Sequence, residues 1–201
     1  MDRPKAPLST EQIEAWVARL PEALRPIKDA ILAVASSGAW SEGETGGPLL
    51  VGPRPDIAPQ AYDIVVFEPL PAEGILSYQE LHDFKLPRHL LEIYKYINGC
   101  SLFEVKLYGI PPSMAVSPPL LDRSRRSPLD IASGRYWRAG YGKIDPAHVL
   151  IASRNVGDSG QVGYFMGADG HISGRGNGSV DAPTECGPWA SLAEWLAAEM
   201  T

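Results

Sequence analysis

The sequence predicts an α+β fold: a single domain with a mixed or antiparallel sheet covered by helices and a helical N-terminal extension. Three observations carry this. Apolar residues recur at helical spacing near the N-terminus, in the middle and at the C-terminus. The run YDIVVF at 62–67 is β-branched, aromatic and bounded by prolines. Short strand-like runs then follow one another from His148 to Ser173, two of them separated by the tight-hairpin pair Asp169-Gly170. The 201 residues suit one domain, and 44% hydrophobic with 21% charged residues is an ordinary soluble globular composition.

The elements follow in order. A first helix is expected from about Thr10 to Leu20, with Ser9 and Gln12 as a capping box and Leu8 with Ile13 as a hydrophobic staple. Pro21 interrupts it. A second helix spans about Pro26 to Ala35, with Ile27, Ala30, Ile31 and Val34 inward and Gly38 beyond its end. Residues 41–48 and 52–60 read as loops around a short strand at Leu49-Leu50-Val51. After the strand at Tyr62–Phe67, Ser77 and Glu80 suggest a capped helix reaching about Phe84.

The stretch LPRHLLEIYKYINGCSLFEVKLYGIPP, Leu86 to Pro112, is the most informative in the chain. Pro87 fits a first helical position, where its missing N–H costs nothing. Leu90, Leu91, Tyr94 and Ile97 share a helical face, and Asn98-Gly99 closes the helix. Leu102 to Tyr108 alternates like a strand and stops at Gly109 and Pro111-Pro112. Residues 111–135, rich in proline, serine and arginine, read as a long surface loop with a helical turn near Leu129–Ser133. His148–Ser153, Gln161–Met166 and His171–Ser173 read as strands, and Ser179-Val180-Asp181 as the start of another. Ser191 and Glu194 cap a last helix, with Trp189, Leu192, Trp195, Leu196 and Met200 as core.

Few residue patterns point to chemistry. Gly157-Asp158-Ser159-Gly160 matches the tetrapeptide around the nucleophile of chymotrypsin-like proteases, and His148 lies eleven residues upstream. A triad needs a base within hydrogen-bond reach and a third group to orient it. A turn between two strands explains the same residues. The Gly174–Ser179 run, GRGNGS, lacks the lysine and following helix of a phosphate cradle and reads as a hairpin loop. The four histidines, His82, His89, His148 and His171, show no metal-ligand spacing, and no cofactor is implied. Cys100 reads as a small buried hydrophobe; with Cys186 it builds no disulfide framework, and free thiols or a single disulfide both stay open. Arg123, Arg125 and Arg126, with Tyr136 and Trp137 beyond them, combine the arginine and aromatic side chains that protein interfaces enrich. They are the candidate partner-binding residues.

The net charge is −6, with four acids and seven bases in 111–160 but five acids and one base in 161–201. The acidic total argues against non-specific nucleic-acid binding, which depends on neutralising phosphates. It is compatible with a basic protein partner. No apolar run approaches the roughly 20 residues of a membrane helix and no signal peptide is evident, so a cytoplasmic location is expected.

Leu86-Pro87, the helix to Asn98-Gly99 and the strand ending Leu107-Tyr108-Gly109 together resemble the SUKH superfamily of Smi/Knr-type domains. The later strands Val149–Ser153 and Gln161–Met166, the Gly157-Asp158 turn, Val180 and the Trp189–Leu196 segment look like that family's closing elements. The resemblance covers about residues 61–201. Residues 1–60 form a longer N-terminal extension than the minimal domain has, the arginine-rich loop within 111–138 looks like an insertion, and the 74–86 segment is short. The resemblance implies a non-enzymatic protein-binding module, in bacteria an immunity protein that binds and neutralises a cognate toxin, often a nuclease. Two other readings stand beside it. One is a regulatory scaffold without a toxin partner; the other is a hydrolase using Ser159 and His148.

Overall fold

In the computed structural model the residues described are 7–41, 47–58, 61–111 and 127–200. The capping box forms as expected: Ser9 Oγ accepts the Gln12 N–H, and Gln12 Oε1 accepts the Ser9 N–H at 2.8 Å. Helix α1 runs Thr10–Ala18 and buries Ile13 and Val17. Helix α2, Arg25–Val34, starts with Pro26 in its first turn, buries Ile27 and Ile31 completely, and passes through a 3-10 turn to Gly38 at φ +120°.

Among the described residues nine strands form one antiparallel sheet whose spatial order is the sequence order. They are β1 Ala39–Ser41, β2 Leu49–Pro53, β3 Tyr62–Val66, β4 Cys100–Leu102, β5 Val105–Leu107, β6 Val149–Val156, β7 Gly160–Met166, β8 Ile172–Gly176 and β9 Glu185–Trp189. Side chains alternate across the pleat. Leu49, Val51, Ile64, Val66 and Leu102 point into the main core with the buried faces of α1 and α2. Leu50, Val65 and Phe67 form a small cluster with Trp40 and Tyr62 on the other face. The last helix, Leu192–Glu199, is capped by Ser191 and packs against α2, its Trp195 ring 5.0 Å from that of Tyr164. The α+β class stands. The stretch read as a helical N-terminal extension also supplies β1 and β2 to the sheet.

Several boundaries differ from expectation. Helix α3 spans Ala72–His82 after Pro71, leaving Ser77 exposed in mid-helix rather than capping its start. Helix α4 spans only Arg88–Tyr94, and Pro87 is its N-cap rather than its first residue. The single strand expected over Leu102–Tyr108 is a hairpin, β4–β5, turning at Phe103-Glu104. Nothing in the composition marks this turn, because Phe103 takes the left-handed φ of +52° that glycine or asparagine normally supplies. Ser179–Asp181 is turn, not strand, with Val180 in solvent. Trp189 lies in β9, the edge strand among the described residues, where Pro188, which lacks an N–H, is tolerated. Gly174–Gly176 belong to β8 rather than to a loop.

The loop expected over 111–138 is not all surface. Ser127, Ile131, Ala132 and Gly134 are buried, and Asp130 bridges to Gly109. Helix α5, Gly134–Trp137, begins just past the expected turn. A 3-10 turn, Arg138–Tyr141, continues it across β7, where Tyr141 meets Phe165 edge-on at 5.6 Å.

The signature stretch is a backbone crossing. Buried Asn98 brackets Ile110: its Nδ2 donates to the Ile110 carbonyl at 2.7 Å, and its Oδ1 accepts the Ile110 N–H at 2.8 Å. Gly99, at φ +79°, lies so close to β5 that a Cβ would stand 2.7 Å from the Leu107 carbonyl oxygen. A Cβ on Gly109 would stand 2.3 Å from the Asn98 carbonyl oxygen. Tyr94 reaches over the crossing and donates its hydroxyl to the Tyr108 carbonyl at 2.8 Å. Asn98-Gly99 therefore does more than end a helix: with Gly109 and Ile110 it lets two chain segments touch backbone to backbone.

Candidate functional site

Of the candidate partner-binding residues, Arg123, Arg125 and Arg126 lie outside the described residues. Tyr136 and Trp137 lie together on α5, which hydrogen bonds anchor at both ends. Asp130 organises the approach: its Oδ2 accepts Ser133 Oγ–H at 2.9 Å, and its Oδ1 accepts the Ala132 N–H at 3.0 Å. Tyr78 of α3 donates its hydroxyl to the same Asp130 Oδ1 and accepts the Ala132 N–H. Burial, then the neighbouring carboxylate, pushes the Tyr78 phenol well above its ordinary range, so it stays a donor. At the other end, Arg138 donates to the carbonyls of Ile144, Asp145, Pro146 and His148, the shortest at 2.7 Å.

The helix held in this way presents its aromatics outward. Tyr136 is 77% exposed and Trp137 43% exposed. The buried edge of Trp137 meets the ring of Tyr108 at 5.6 Å. Between α5, the end of α3 and the start of β6 runs a groove of about 210 Å³, lined by Asp83, Phe84 and Lys85, by Gly134, Arg135 and Arg138, and by Pro146 to Leu150. Arg135 lies over the Phe84 ring, 5.7 Å from its centre.

The hydrolase residues do not meet. Ser159 sits in the turn after β6 and His148 just before β6, so the eight-residue strand keeps them roughly 25 Å apart at about 3.3 Å per residue. Ser159 Oγ pairs instead with Ser179 Oγ at 3.1 Å. The Gly174–Ser179 run makes no cradle; Asn177 braces the turn, its Oδ1 accepting the Gln161 and Ser179 N–H groups. Among the described residues no three His, Cys, Asp or Glu side chains gather as metal ligands. Both cysteines are free thiols; burial pushes Cys100 up to about 12 and raises Cys186 as well.

The sequence pattern missed a second surface feature. Phe103 stands at the tip of the β4–β5 hairpin, half exposed, between two shallow grooves of about 460 and 540 Å³. One of them borders a buried polar group in which Glu199 accepts from Tyr164 at 2.5 Å and pairs with Arg154 at 3.1 Å. Burial, then Glu199, drives the Tyr164 phenol far upward. No local motif announces either feature, since both arise from pairing between distant segments.

Comparison of the chain with protein-family models, curated proteins and solved structures gives no match.

Proposed function

We propose that the chain is a non-enzymatic protein-binding module, an immunity protein that neutralises a cognate toxin by covering or distorting it. The observation that carries this reading is the exposure of Tyr136 and Trp137, two large aromatics on a short helix anchored by hydrogen bonds of Asp130, Tyr78 and Arg138. Aromatic anchors on a preorganised support are what dominate protein interfaces. The resemblance of the Leu86–Gly109 pattern to SUKH domains supports the same class, and the separation of Ser159 from His148 counts against the hydrolase alternative. The net charge of −6 suits long-range steering towards a basic toxin. Arg135 and Lys85 beside the anchors call for a locally acidic patch on that partner.

Co-expression with the product of the neighbouring gene tests the reading. A stable complex and protection from that product's toxicity are expected. Tyr136→Ala and Trp137→Ala should each weaken the complex by about 2 kcal/mol, roughly 30-fold. If no complex forms and the toxin is not neutralised, the immunity reading fails. If the complex forms but both variants bind unchanged, the interface lies elsewhere.

A further inference from the structure

We infer that the groove beside α5 binds a phosphate group, either free or as a monoester. Its lining carries three permanent cations, Lys85, Arg135 and Arg138, against one carboxylate, Asp83, for a local excess of two positive charges. That excess matches a phosphate dianion better than a single carboxylate. Among the described residues no acid pairs with these three cations. Arg138 is satisfied only by carbonyl oxygens, which fix its geometry without cancelling its charge. Lys85 and Arg135 enter no ion pair among the described residues, and Arg135 is positioned by the Phe84 ring rather than by an acid. A concave wall with a net positive excess focuses the field on a small anion. The guanidinium fork of Arg135 suits a tetrahedral oxyanion, while Arg138, its terminal N–H groups directed at carbonyls, adds charge alone.

The groove's size narrows the ligand further. At about 210 Å³ it lies below the roughly 300–1,000 Å³ of pockets that enclose drug-sized molecules, so the occupant is a single small group. The groove floor is also preformed: Gly134 lets α5 approach β6, where a Cβ would stand 3.2 Å from the Leu150 carbonyl oxygen. The site shares Arg135 and Lys85 with the proposed toxin interface, but anion binding by the isolated chain is read without any toxin.

Amide chemical shifts of the labelled full chain test it, with inorganic phosphate and O-phosphoserine titrated separately against sodium chloride of equal ionic strength. Saturable shifts confined to residues 83–85, 134–138 and 146–150 are expected for one or both, and their relative affinity tells free phosphate from ester. Lys85→Ala and Arg135→Ala lie on exposed side chains and should keep the melting temperature while weakening binding about tenfold each. The proposal is overturned if neither anion gives saturable shifts, if chloride reproduces them, or if both variants bind as the parent does.

Discussion

Replacing Asn98 by alanine should destabilise the protein far beyond what its size suggests. Asn98 is 3% exposed, and its amide satisfies both backbone groups of Ile110, which is 2% exposed. Truncation leaves the Ile110 N–H and carbonyl without partners in a place water does not reach. Each orphaned buried group costs about 2 kcal/mol, so the loss is about 4 kcal/mol. For a domain of this length that lowers the melting temperature by about 12 °C, at about 3 °C per kcal/mol. Asn98→Asp should not rescue it: a carboxylate still accepts the Ile110 N–H but sets oxygen against the Ile110 carbonyl. The assay is urea unfolding followed by tryptophan fluorescence, alongside thermal melts of parent, Asn98→Ala and Asn98→Asp. A loss below about 1 kcal/mol for the alanine variant would show that water or a backbone shift replaces both bonds, and would refute the interlock as the source of the signature.

Three further outcomes follow from the same geometry. Gly99→Ala should cost at least about 2 kcal/mol, from left-handed strain and from contact with the Leu107 carbonyl, and Gly109→Ala should cost a similar amount by contact alone; urea midpoints within error of the parent would contradict this. Ile97→Ala, at a fully buried site, should lose about 2–5 kcal/mol, and Tyr94→Phe about 1 kcal/mol by orphaning the Tyr108 carbonyl; melts showing no change would mean that the face is misassigned. The stability contributed by the buried thiol and phenols should be full below about pH 9 and fall as pH rises towards 12. The unfolded chain releases the Cys100 proton at its ordinary 9.0 while the folded chain holds it up to about 12, and the buried tyrosines act in the same sense. The slope is about 1.4 kcal/mol per pH unit for each such group, and an unfolding midpoint flat from pH 8 to about pH 11 would overturn the reasoning.

Where the signal was local, the sequence was legible. The Ser9/Gln12 box, the paired helix faces of Ile27 and Ile31, the YDIVVF strand and the Asp169-Gly170 turn each depend on residues within one or two turns of chain, and each forms. The failures share a cause. The β4–β5 turn rests on Phe103, whose backbone conformation is fixed by pairing with β3, including its N–H to the Asp63 carbonyl at 2.7 Å. The β9 strand has a glycine and a proline and forms because β8 offers an edge. Tertiary context decides both, and propensity cannot see it. The candidate site divides the same way. Tyr136 and Trp137 were visible as aromatics near arginines. The groove beside them was not, because it joins Lys85, Arg135 and His148 from three separate segments.

The signature and the candidate site are mechanically connected, and this gives the Leu86–Pro112 stretch a role beyond packing. Gly109 donates its N–H to the Leu129 carbonyl and accepts the Ile131 N–H, both at 2.9 Å, so the crossing clamps the segment that leads into α5. Tyr108, one residue earlier, anchors the Tyr94 hydroxyl with its carbonyl and supports Trp137 with its ring. The interlock is therefore the base on which the exposed aromatics stand. Perturbing it should act on a partner through geometry as well as through folding, whereas perturbing Tyr136 acts through contact alone. The two routes separate experimentally: Tyr136→Ala should weaken a complex while the melting temperature stays within about 1 °C, as befits a mostly exposed side chain. Gly109→Ala should lower the melting temperature and also weaken binding at temperatures where the variant is still folded. If that variant, fully folded, binds as the parent does, then α5 is held by Asp130, Tyr78 and Arg138 without help from the crossing.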